Sequence, residues 1–99
     1  MSETIKATTA EASIPYDREK ALRSMRALHE QIRRRMNELA ESSKKKARKK
    51  RKKLKKSRGR MKQAFYEVTL ADRQKWEKIR PRIMRTYNKA LRTLEKAQV

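Results

Sequence analysis

The chain has 99 residues, with 31 Lys or Arg against 11 Asp or Glu and a formal net charge of +20. Leu, Ile, Val and Phe supply only 15 residues, below the roughly 20% under which a highly charged chain is expected to be disordered on its own. Together these disfavour a self-contained globular enzyme and point to a chain that folds against, or condenses, a polyanion.

Single residue types narrow the field further. Cysteine is absent, which removes disulfide staples, thiolate nucleophiles and zinc–thiolate sites. One glycine excludes GxGxxG and P-loop phosphate cradles. His29 is the lone histidine, without the partners a metal site needs. No base–nucleophile pair or paired-carboxylate site is recognisable, so no catalytic residue, cofactor or metal is expected. No apolar run reaches membrane-spanning length, and the N-terminal residues lack a secretory or transit pattern. A membrane partner is not expected, and the location is expected to be intracellular: nuclear or nucleolar in a eukaryote, or inside a virion.

The charge is distributed in a block. Residues 1–43 carry 8 basic and 7 acidic groups. Residues 44–60 carry 13 basic groups and no acid, and residues 61–99 carry 10 basic and 4 acidic. Residues 1–16 have no usable period and read as a flexible tail. Asp17 after Pro15 is a plausible N-cap, with Glu19 in the first turn where the helix dipole favours it.

From residue 17 to 43, Leu22, Met25, Leu28, Ile32, Met36 and Leu39 recur at spacings of three and four, an amphipathic helix period. In heptads, Leu22, His29 and Met36 take one seam position and Met25, Ile32 and Leu39 the other. This is about three heptads, short for a coiled coil alone.

The next segment reads KKKARKKRKKLKKSRGR. Such dense like charge should fray a helix in water until phosphates neutralise it. A helix in the bound state is supported by Ala47, Leu54, Met61 and Val68, which recur every seven residues. One helix from 17 to 68 is conceivable. A break at Glu41-Ser42-Ser43 or at Gly59 is preferred.

Thr69-Leu70-Ala71-Asp72 fits a capping box. It opens a C-terminal region, residues 61–99 in the coarse division, with an aromatic–aliphatic face through Trp76, Ile79, Ile83, Met84, Tyr87, Leu91 and Leu94. Pro81 should kink or divide that helix. No strand or hairpin signal is present. The expected fold is therefore all-α, an extended or hairpin-like arrangement of two to four helices with little hydrophobic core.

The strongest functional signal is the block itself: Lys44, Lys45, Lys46, Arg48, Lys49, Lys50, Arg51, Lys52, Lys53, Lys55, Lys56, Arg58 and Arg60. Lysine outnumbers arginine here by nine to four. Lysines are mobile point charges suited to a phosphate backbone, whereas bidentate base reading favours arginine. Affinity without sequence readout is expected. Arg33, Arg34 and Arg35, and Arg80, Arg82 and Arg85 around Pro81, are auxiliary phosphate contacts. Tyr66, Trp76 and Tyr87 invite a base-stacking reading, but packing is the expected role, as for Phe65.

In composition the chain is similar to small basic ribosomal proteins and to viral or organellar DNA-packaging proteins; no motif carries the likeness. The expected function is non-enzymatic RNA binding as a structural component of a ribonucleoprotein assembly such as a ribosome. The alternatives are a DNA-condensing or packaging protein, and a helical adaptor whose basic block is a localisation address. Protein partners or self-association are expected through the apolar faces of residues 17–41 and 70–98.

Overall fold

The structure, a computed structural model, describes residues 17–98; the expected N-terminal tail lies outside them. Three helices follow one another: α1 (Arg18–Ala40), α2 (Lys45–Leu70) and α3 (Arg73–Ala97), with no strand among the described residues. The expected all-α class is therefore correct.

The first helix begins as its sequence predicts. Asp17 has an extended backbone, and its carboxylate accepts the Lys20 N–H at 3.1 Å. That bond holds the Asp17 carboxyl below the usual range. The helix buries Ala21, Met25, Leu28, Ile32, Met36 and Leu39. The buried stripe is thus centred a little away from the expected seam, and Leu22 and His29 sit half-buried at its edge.

Of the two possible breaks, the chain uses Glu41–Lys44 and not Gly59. Ser42 N–H donates to the Leu39 carbonyl at 3.1 Å, and the Lys44 N–H reaches the Ser42 hydroxyl at 3.2 Å. Beyond this turn α2 is continuous and not frayed. Its stripe of Ala47, Leu54, Ser57, Met61, Ala64 and Val68 is buried. Tertiary packing of an apolar stripe outweighs the repulsion among neighbouring cations, as it outweighs propensity in most protein helices.

Gly59 lies within α2 on an exposed face, and a Cβ there would meet nothing within 4 Å. Glycine in a helix interior costs about 0.5–1 kcal/mol relative to alanine. Gly59→Ala should therefore raise the thermal midpoint. A melt with an unchanged or lower midpoint would contradict this.

The capping box is displaced. The Thr69 hydroxyl donates back to the Phe65 carbonyl at 2.8 Å, inside α2. The working N-cap of α3 is Asp72, whose carboxylate accepts the Lys75 N–H at 2.8 Å. Helix α3 then runs unbroken through Pro81. The proline is exposed, while Ile79 and Ile83 on either side of it are buried. The missing N–H therefore falls on the solvated side while core contacts hold both halves.

The molecule measures 46 × 35 × 17 Å, so its shortest dimension is about one and a half helix diameters of roughly 10–12 Å. Helix α2 is central and packs more extensively on α1 and on α3 than those two pack on each other. One buried cluster joins all three helices, and six of its members are alanines: Ala21, Ala47, Ala64, Ala71, Ala90 and Ala97. Small side chains let the helices lie close.

Two arginines fasten the helix ends. Arg18 donates to the Val68 and Thr69 carbonyls at 3.0 and 3.2 Å, and Arg35 Nε donates to the Ala97 carbonyl at 2.8 Å. The last carbonyls of α2 and α3 are short of donors, although Val68 also accepts the Ala71 N–H at 3.2 Å, and they carry the negative end of the helix dipole. Cations brought from α1 satisfy both needs.

Candidate nucleic-acid interface

The basic block is laid along α2 by its own heptad spacing. Burying Ala47, Leu54 and Ser57 turns the intervening cations outward. Lys45, Lys46, Arg48, Lys49, Arg51, Lys52, Lys53, Lys55, Lys56 and Arg60 are exposed, as is Lys44 at the cap. Lys50 and Arg58 are partly covered. The block is about 25 Å long at 1.5 Å per residue. Thirteen cations on that length compare with about 15 phosphates on the same length of duplex DNA, at one per roughly 1.7 Å. The only carboxylate on α2 is Glu67, beyond the block.

The two arginine clusters divide by role. In the first, Arg34 is exposed. Arg33 pairs with Glu30 at 2.8 Å, and Arg35 is engaged with Ala97 and with Glu38 at 2.9 Å. Arg35 is thus a fastening residue. In the second, Arg85 is exposed and Arg80 half-buried. Arg82 makes a two-pronged bond to Glu67, at 3.0 and 2.6 Å, linking α3 to α2.

The fold also brings together residues that are far apart in the chain. Between α2 and α3, a hollow of about 210 Å³ is lined by Arg60, Arg82, Arg85 and Lys89, with Ser57 and Thr86 beside them. Arg60 from the block and two members of the second cluster therefore converge. Lys89 was not among the expected contacts. Between α1 and α2, a wider groove of about 640 Å³ is lined by Arg26, Lys55, Arg58 and Lys62 over Met25 and Met61. Arg26 and Lys62 were likewise not expected. A helical signal was available: Lys55, Arg58 and Lys62, like Arg82, Arg85 and Lys89, lie three and four residues apart on one face.

Trp76 is packed, only 4% exposed, and Tyr87 is half-buried against the core. Tyr66 differs, at 57% exposed. His29 lines the α1–α2 groove. Its burial, and then the cations Arg58, Lys62 and Arg33 against the opposing pull of Glu30, push the imidazole below its ordinary range.

Glu67 is held below the usual carboxylate range, chiefly by its hydrogen bond from Arg82. Because the folded value is the lower one, the pair contributes fully above the ordinary carboxylate range and fades as pH falls through that lower value. Both partners are substantially exposed, so the contribution is at most about 1 kcal/mol. Glu67→Gln should cost little stability, and a thermal melt with a midpoint lowered by more than a few degrees would show that the pair matters more than its exposure allows.

The apolar faces of residues 17–41 and 70–98, expected to pack with each other, with a second copy or with partners, are covered within the chain, chiefly by α2 and in part by one another. Among the described residues, the large apolar side chains left exposed are Tyr66 and Leu70. No helix of the described residues is long and apolar enough to cross a membrane, and no group of acidic, His or Cys side chains among them is arranged to hold a metal ion. Compared with protein-family models, curated proteins and solved structures, the chain matches none.

Proposed function

We propose that this chain is a non-enzymatic nucleic-acid-binding protein, a structural RNA-binding component of a ribonucleoprotein assembly. One observation carries the reading: twelve cations, with Lys44 at the cap and no acid among them, stand on one helix that the rest of the fold holds in place. Their linear density is close to that of duplex phosphates, so the ridge suits neutralisation of a polyanion over its whole length. Side chains held on a helix lose less freedom on binding than a coil would. The excess of lysine over arginine suits phosphate contact without base readout. RNA is favoured because folded RNA offers closely spaced phosphates from more than one strand to a thin basic element.

The test is fluorescence anisotropy of the full chain against a structured RNA and a length-matched DNA duplex, from 50 to 300 mM salt. RNA should win by at least tenfold at the higher salts. Coincident curves of equal slope would replace this reading by sequence-blind DNA condensation. Function unchanged after neutralising residues 44–60 would leave the block as an address only.

A further inference from the structure

The groove between α1 and α2 has a chemistry that the ridge does not. Its floor is formed by Met25 and Met61, each 1% exposed. Its volume of about 640 Å³ falls in the roughly 300–1,000 Å³ range of pockets that take small organic groups. Three flat groups stand in its wall. The Arg26 guanidinium lies over the Phe65 ring, 5.5 Å from its centre, and the Tyr66 ring is more than half exposed. Lys55, Arg58 and Lys62 stand around the same opening, and no carboxylate lines it.

Gly59 is a further observation. It borders this groove and has no steric reason to be glycine, since an added Cβ would meet nothing. A helix of this charge density gains nothing from a residue that weakens it. What glycine does leave is open space at the edge of the groove.

We propose that this groove takes a single unpaired RNA nucleotide, its base stacked on Tyr66 and the Arg26–Phe65 pair and its phosphate held among Lys55, Arg58 and Lys62. The proposal rests on the RNA-binding reading and adds to it a site that selects loops and bulges. A paired base offers only its edges to a protein, whereas an extruded base offers its faces to aromatic rings and guanidinium planes. An acidic peptide would match the charge as well, but the planar groups in the wall favour a planar ligand. The methionine floor accepts the ring of any base, so selectivity among bases is not expected.

The probe is an RNA hairpin with one bulged nucleotide replaced by 2-aminopurine, beside the same hairpin fully paired. The full chain should quench the 2-aminopurine. It should also bind the bulged hairpin roughly five- to 100-fold more tightly than the paired one at 200 mM salt, the range that one base stack supplies. Tyr66→Ala and Gly59→Leu should each abolish the quench and the preference. Tyr66→Phe should retain both, and affinity for the paired hairpin with its salt slope should stay as in the parent chain. Far-UV circular dichroism checks that the variants fold. Leucine is a good helix former and Tyr66 is exposed, so both variants should pass.

Binding of both hairpins without quenching or preference would overturn the proposal and leave the RNA-binding reading standing. Quenching that persists in both Tyr66→Ala and Gly59→Leu would overturn it too. Failure to bind either hairpin at 50 mM salt would overturn the parent reading with it. If a Glu- and Leu-rich helical peptide binds, and Gly59→Leu blocks the peptide but not the bulged hairpin, the groove takes protein and the proposal falls.

Discussion

Raising salt from 50 to 200 mM should weaken binding of the full chain to a structured RNA by about 10⁴-fold, with a log–log slope near −7. This follows if about eight of the block's cations displace counterions from phosphate. Not all thirteen are expected to count, because they project around α2 on both sides of its buried stripe and one duplex meets only some of them. Replacing Lys45, Lys49, Lys52 and Lys56 by Gln should flatten the slope by three to four if all four touch phosphate. These four are exposed, so the circular dichroism spectrum should hold. A slope shallower than −3 in the parent chain would mean that few of the cations touch the backbone at all. The ridge would then be an address or a solubilising surface.

The second large effect is on the fold. Leu54 is fully buried in the first half of α2, and it is the only large apolar residue between Lys44 and Arg60. Its burial holds the twelve lysines and arginines of residues 45–60 on one helix. Leu54→Ala should cost about 2–5 kcal/mol, the range for emptying a buried leucine site. Small domains have only about 5–15 kcal/mol to lose, and a fold this thin belongs at the low end. The variant should therefore keep at most about 3 kcal/mol, with a strongly lowered thermal midpoint at 222 nm. Added RNA should restore helix, because phosphates relieve the repulsion that remains. A midpoint within a few degrees of the parent would show that α2 does not depend on its stripe.

Several elements were legible in the sequence, and for local reasons. The Asp17 cap and the stripes through Met25, Ile32 and Leu39 and through Ala47, Leu54, Met61 and Val68 are written in three- and four-residue spacings. Such spacings need no knowledge of the rest of the chain. The choice of break was not legible. Glycine weakens a helix, but the buried run from Leu54 to Met61 crosses Gly59 and carries the helix through. Glu41 to Lys44 has no such run. Thr69 and Asp72 are both good caps. Asp72 is used because a turn at Ala71 and Asp72 returns Trp76 and Ile79 to the core.

Part of the candidate site was hidden in the same way. The block announces itself by composition. Whether Arg35 faces phosphate or fastens Ala97, 62 residues away, depends on tertiary placement. The two hollows beside the ridge exist only once three helices lie side by side. That placement joins Arg60 to Lys89 and Arg26 to Phe65.

The connections have a consequence in time. Each helix is tied to its neighbour by at most four residues, Glu41–Lys44 and Ala71–Asp72. Little loop entropy opposes docking, and helical folds with such local contacts form in microseconds to milliseconds. A ribosome adds roughly 5–20 residues per second. The first helical hairpin can thus close within the interval between two successive additions. A strongly cationic nascent chain would then offer cellular polyanions a formed ridge almost from its emergence, and would spend little time as a loose polycation.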